Sequence, residues 1–147
     1  MINLKCEWKG KMKFEASSGA HSISMDAKAP LGDDAAMTPK QLLLAAVCGC
    51  TAMDVVALMK KHKQNMESFV IDAQTELTQA HPSLFSNTKL IFRAQGQIEK
   101  DKLLEAVKLS QTKYCGVTAM ISKAVSLDYD VELNGEKIGS GKADFQF

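Results

Sequence analysis

Apolar and polar residues alternate at the start of the chain. Ile2, Leu4, Cys6 and Trp8 share one face of an extended segment, and Met12 and Phe14 resume the pattern after the turn signal Lys9-Gly10. A further alternating stretch spans residues 21–25, behind Ser17-Ser18-Gly19. Together these predict a three-stranded meander. Ala29-Pro30-Leu31-Gly32-Asp33-Asp34 then reads as a surface loop, because Pro, Gly and Asp favour turns over ladders and helices.

The period changes at Thr38-Pro39-Lys40-Gln41. Thr38 can cap a helix, Pro39 suits the first helical position, and Gln41 completes a capping box with Thr38. The helix runs to Lys60-Lys61-His62-Lys63, where cationic side chains oppose the negative end of the macrodipole. Its middle is apolar on nearly all sides, which predicts a long buried central helix. A chain this small can hardly enclose such a helix alone, so a dimer that wraps it is expected.

Residues 68–78 and 88–97 read as two long strands around the turn region His81-Pro82-Ser83. Residues 101–113 predict an amphipathic helix with Leu103, Leu104, Ala106 and Val107 inward. Tyr114-Cys115-Gly116 breaks it, and residues 117–124 form a shorter helix. A strand over 125–133 then turns at Asn134-Gly135 into the last strand. The predicted class is α+β, one domain over residues 1–147, with the later strands antiparallel and two helices after the central one.

Composition narrows the function. Apolar residues make up 46% of the 147, charged residues 24%, and the formal net charge is +1, so there is no cationic excess to hold a polyanion and no nucleic-acid partner is expected. The apolar run over residues 42–59 approaches the length of a membrane span but contains Gly49, Thr51, Asp54 and two cysteines; a core helix, with no membrane partner, is the reading. Charges interrupt the apolar N-terminal stretch, which lacks a signal-peptide pattern, and a cytoplasmic location follows as an expectation. In that reducing compartment Cys6, Cys48, Cys50 and Cys115 are expected as free thiols, left to packing, metal or redox roles.

A metal is disfavoured, because a helix turns about 200° across Cys48-Gly49-Cys50 and points the two thiols apart. His21, His62 and His81 show no ligand spacing, and no metal or cofactor is expected. Cys50 has Ala46, Val47, Met53 and Asp54 as its helical neighbours, a mostly apolar setting that disfavours thiolate. Cys115 directly precedes a helix, whose free N–H groups would favour thiolate. If the two helices meet, one thiolate reacting with an oxidant gives a sulfenic acid, and the other thiol condenses with it to a disulfide. Spacing alone does not select this pair among four cysteines.

The stretch Thr38-Pro39-Lys40-Gln41-Leu42-Leu43-Leu44-Ala45-Ala46-Val47-Cys48-Gly49-Cys50-Thr51-Ala52-Met53-Asp54-Val55-Val56 resembles the central-helix signature of the OsmC/Ohr family, a Pro-led helix that reaches a cysteine after small residues. Lys113-Tyr114-Cys115-Gly116-Val117 resembles the family's second cysteine motif, and the order of elements agrees across nearly the whole chain. The resemblance implies an OsmC-like fold, an intertwined homodimer, two active sites at the subunit interface, and reduction of organic or inorganic hydroperoxides at the expense of a dithiol. It places Cys50 at the peroxidatic position and Cys115 at the resolving one.

In the family's well-studied peroxidases an Arg from the N-terminal strands and a Glu ten residues before the first cysteine activate the thiolate. Here Lys40 stands at the Glu position, and the single Arg of the chain, Arg93, lies on a later strand. The sequence resembles instead an OsmC-like subgroup with Cys50-Thr51-Ala52-Met53-Asp54-Val55-Val56 in the helix. Lys40, Lys11 or Lys13 would have to supply the missing cation; a solvated surface residue is the plainer role for Lys40. Asp54 is expected to orient a cation beside Cys50 or to sit at the dimer seam. Loss of the Arg and Glu motivates a second reading, a non-enzymatic member that binds an apolar small molecule at the dimer interface, and a structural or metal thiol protein is a third.

Overall fold

Residues 1–146 are described by a computed structural model of mixed α+β architecture. In the first part of the chain, β1 (Lys5–Trp8), β2 (Phe14–Ser18) and β3 (His21–Met25) form an antiparallel sheet in the order β1-β2-β3, with Cys6 opposite Ala16 and Phe14 opposite Met25. This is the predicted meander. On its apolar face Ala16 is buried and Phe14 and Met25 are half-buried, whereas Trp8 is 67% exposed and Leu4 and Ile23 are exposed as well.

The loop after β3 is organised by one buried carboxylate. Asp26 accepts the backbone N–H groups of Ala27, Asp33 and Ala35 at 2.8, 3.2 and 3.1 Å. The bond from Ala35 does most to hold its pKa below the usual carboxylate value, against the penalty of burial. The capping box forms as predicted: Thr38 N–H donates to Gln41 Oε1 at 2.8 Å, and Gln41 N–H donates to Thr38 Oγ1 at 3.4 Å.

The helix that begins there, α1 (Pro39–Lys61), ends with Lys63 at a positive φ of 54°. Gln64 N–H reaches back to the Met59 carbonyl and Lys63 N–H to that of Lys60, each at 3.0 Å, which satisfies two carbonyls the helix end leaves open. The chain divides into two compact units inside this helix, after Ala45.

In the second unit β4 (Asn65–Leu77), β5 (Phe85–Gln97), β6 (Leu127–Leu133) and β7 (Glu136–Lys142) form a sheet in that order. Register places Phe69 opposite Ala94, Ile71 opposite Phe92, Phe92 beside Val131, and Leu90 beside Tyr129, so one face is apolar across the central strands. Val47, Val55 and Met59 of α1 join this core, together with Leu103, Ala106 and Val107 of α2 (Lys100–Leu109). The opposite face carries cross-strand ion pairs: Arg93 with Asp72 and with Glu132, and Lys89 and Lys137 with Asp130.

Two expectations need correction. The later strands are not all antiparallel, since β5 and β6 run parallel. The chain between them crosses over through α2, a π-helical segment (Ser110–Tyr114) and α3 (Gly116–Ser122), and a helical crossover returns the chain in the same direction. The central helix, in turn, is buried along one stripe only, Val47, Thr51, Val55 and Met59, four residues apart. On its other side Leu43 and Ala57 are exposed and Met53 is 74% exposed.

Two turns depend on glycine and asparagine. Asn134 and Gly135, at φ of 51° and 84°, make the predicted tight turn between β6 and β7. Gly96, at φ +131°, lies where a Cβ would stand 2.3 Å from the Asn65 carbonyl oxygen. The Asn134 side chain binds both backbone groups of Gly96, at 3.0 and 3.1 Å, and fixes the end of β5 against the turn that follows β6.

Candidate active site

Cys50 and Cys115 meet. Cys50 lies half-buried on α1, next to Thr51 of the buried stripe. Cys115 sits in the crossover, between the π-helical segment and α3, with its backbone extended at φ −71° and ψ 98°. The wider helical turn is closed by Cys115 N–H donating to the Ser110 carbonyl at 3.1 Å, five residues back. Such local widening re-aims side chains and recurs at functional sites. Here it presents the Cys115 sulfur, fully buried, beside the Cys50 side chain. Both thiols are free.

The sulfur of Cys115 caps α3 by accepting Thr118 N–H at 3.3 Å and the Thr118 hydroxyl at 3.0 Å. Helix position led to the expectation of a thiolate at Cys115, and the structure corrects it. Burial pushes the Cys115 thiol up to about 11; the two Thr118 bonds pull the other way, and the neighbouring Cys50 adds to the rise. Two donors do not replace the hydration that a buried anion loses. At neutral pH Cys115 therefore keeps its proton.

A hydrogen-bond chain fastens the two cysteine-bearing segments together. Thr51 and Asp54, three residues apart on α1, face the same way, and the Ser110 hydroxyl touches both: Thr51 Oγ1 at 2.6 Å and Asp54 Oδ2 at 2.9 Å. Ser110 donates its one hydroxyl proton to Asp54, so Thr51 donates to Ser110. Gln111 Nε2 donates in turn to Thr51 Oγ1 at 2.6 Å. The chain runs one way, from Gln111 through Thr51 and Ser110 to Asp54. Thr51, Ser110 and Gln111 are all fully buried. Gln111 Oε1 is the buried side-chain oxygen left without a partner among the described residues.

Asp54 thus ends a hydroxyl chain. Lys40, in the first turn of α1, is exposed, and ten residues of helix put it about 15 Å from Cys50 along the axis of the same chain. Lys11 is in an exposed ion pair with Asp33 at 2.8 Å, and Arg93 is held by Asp72 and Glu132 on the outer face of the larger sheet. Cys6 is exposed on β1, and Cys48 packs against the core, where burial raises its pKa. Among the described residues no group of three or more His, Cys, Asp or Glu is arranged to hold a metal ion. Thr51, Ser110, Gln111 and Thr118 were not singled out by sequence. Only Thr118 left a readable trace there, as the third residue after a helix-capping Cys115.

The family model described as "OsmC-like protein" matches residues 32–130. The chain belongs to the OsmC-like family. Protein YhfA of Escherichia coli K12 is 33% identical over 135 residues, covering 90% of this chain and 98% of that protein. An OsmC-like protein from Mycoplasma pneumoniae superimposes with a TM-score of 0.80 at 11% identity, over 90% of this chain and 96% of its own. An organic hydroperoxide resistance protein from Elizabethkingia anophelis shares the fold at a TM-score of 0.68 and 15% identity, over 91% and 96%. Helix α1 is long and apolar enough to cross a bilayer by length and composition, but in this family's fold it is the core helix, and its buried stripe packs here against the sheet.

Two expectations follow. Ser110→Ala removes the hydroxyl that joins Thr51 and Asp54 of α1 to the π-helical segment and leaves the buried Thr51 hydroxyl without its acceptor; urea unfolding should show a loss of about 1–3 kcal/mol. The raised pKa of Cys115 makes stability pH-dependent. Between about 9 and about 11 the folded state keeps a proton that the unfolded chain releases, so stability falls as pH rises through this window. Urea titrations across it should show a shallower decline for Cys115→Ala than for the unaltered protein.

Proposed function

We propose that the protein is a thiol-dependent hydroperoxide reductase in which Cys50 attacks the peroxide and Cys115 resolves the product. The contact between the half-exposed Cys50 and the buried, proton-bearing Cys115 carries the reading. Cys50 thiolate attacks one peroxide oxygen, the O–O bond breaks, and the alcohol leaves with a proton, giving Cys50 sulfenic acid. Cys115 then displaces water to form the Cys50–Cys115 disulfide, and an external dithiol restores both thiols.

The missing activating Arg and Glu are part of this proposal. A residue ten positions upstream on α1 is about 15 Å away within the chain, so Lys40 acts on Cys50 only across an interface with a second copy. A homodimer is supported by the open side of α1, where Ala52, Met53, Val56, Ala57 and Lys60 line a groove of about 370 Å³, and by the open face of the β1-β2-β3 sheet. A reducing, cytoplasmic setting agrees with four free thiols.

Purified protein with dithiothreitol should consume cumene hydroperoxide or hydrogen peroxide and form a Cys50–Cys115 disulfide once the reductant is withdrawn, and Cys50→Ser should fall to the buffer rate. Consumption of neither peroxide, with Cys50→Ser indistinguishable from the unaltered protein, would sink the proposal. Light scattering should give twice the 16.0 kDa of the chain, and Met53→Lys, which sets a charge on the open side of α1, should shift the mass toward the monomer. A monomeric unaltered protein refutes the dimer.

A further inference from the structure

The two sulfurs of the pair differ in what surrounds them. Cys50 is partly open to solvent, whereas Cys115 is fully buried and accepts two hydrogen bonds, both from Thr118: the hydroxyl at 3.0 Å and the N–H at 3.3 Å. These donors are in place before any reaction, and a preset donor at a developing charge lowers a barrier without reorganisation at that moment. Once the pair is oxidised, the sulfur that faces Thr118 is the one shut off from an incoming thiol.

We propose that Thr118 is a catalytic residue of the reductive step: its hydroxyl and N–H stabilise Cys115 as the leaving thiolate and so direct the reductant to Cys50. The inference rests on the peroxidase reading for its place in a cycle, but the bond chemistry is that of any disulfide formed by the pair. The thiolate of an external dithiol attacks Cys50 Sγ, the Cys50–Cys115 bond breaks, and its electron pair passes to Cys115 Sγ. The second thiol of the reductant then attacks the mixed disulfide and frees Cys50 as thiolate. Its proton goes to Cys115, and the reductant leaves as a disulfide, two electrons having reached the protein.

Rates of disulfide exchange rise as the leaving thiol becomes more acidic. An isolated buried sulfur is a poor leaving group on that scale, and the Thr118 donors are what oppose it. The closing of the disulfide is less sensitive to them. There Cys115 is the nucleophile, and a donor that increases the thiolate fraction also lowers its nucleophilicity, so the two effects partly cancel. Opening has no such cancellation. Loss of the Thr118 hydroxyl therefore falls mainly on reduction, while attack of Cys50 on peroxide uses neither Thr118 nor the Cys115 thiolate.

The test starts from disulfide prepared with diamide, so that it does not depend on peroxide chemistry. Stopped-flow reduction by dithiothreitol should be slower by about 10-fold or more in Thr118→Val, with Thr118→Ser close to the unaltered rate. Thr118→Ala, which removes the hydroxyl without adding a branch, should match Thr118→Val. With a monothiol, acid quenching and mass spectrometry should find the mixed disulfide on Cys50. The inference is overturned if diamide forms no Cys50–Cys115 bond, if folded Thr118→Ala is reduced as fast as the unaltered protein, or if the mixed disulfide sits on Cys115. Failure of the unaltered protein to consume peroxide, with the slowed reduction still present, would overturn only the peroxidase reading.

Discussion

The contact between the sulfurs of Cys50 and Cys115 depends on how the crossover is fastened to the long helix. The Ser110 hydroxyl sits between Thr51 and Asp54 of α1, and the Ser110 carbonyl holds the N–H of Cys115. One residue thus binds the helix that carries the first cysteine with its side chain, and the residue that is the second cysteine with its backbone. The π-helical turn is what lets it do both, because a carbonyl reaching five residues ahead swings the chain wider than an ordinary turn would. The cost is a buried polar cluster, tolerable because its hydroxyls are satisfied in sequence and end on a carboxylate.

Burial then divides the labour between two chemically identical groups. Cys115, with no solvent contact, is held as a thiol despite its place at a helix start. Cys50 is the partly open sulfur of the two. The expectation that a helix start would make Cys115 a thiolate counted the attraction of N–H groups and omitted the larger loss of hydration.

The larger sheet serves this arrangement by returning the chain. Because β5 and β6 are parallel, the segment between them must cross over, and the crossover brings Cys115 back to a helix some sixty residues earlier in the chain. The exposed apolar residues of α1 and of the first sheet take no part in this, and the proposed homodimer rests on them.

The sequence by itself determined the elements. Alternation marked the meander and the long strands, Thr38 and Gln41 marked the helix start, and Asn134-Gly135 marked a turn that forms as read, because each is governed by neighbours a few residues away. Two motifs identified the family and singled out Cys50 and Cys115. What tertiary structure alone decided was the parallel pairing of β5 and β6, the π-helical turn, and the hydroxyl chain through residues 51, 54, 110 and 111. It also decided that Cys115 keeps its proton. Hydration loss and hydrogen-bond partners belong to residues brought together across the chain, and no local pattern in the sequence encodes them.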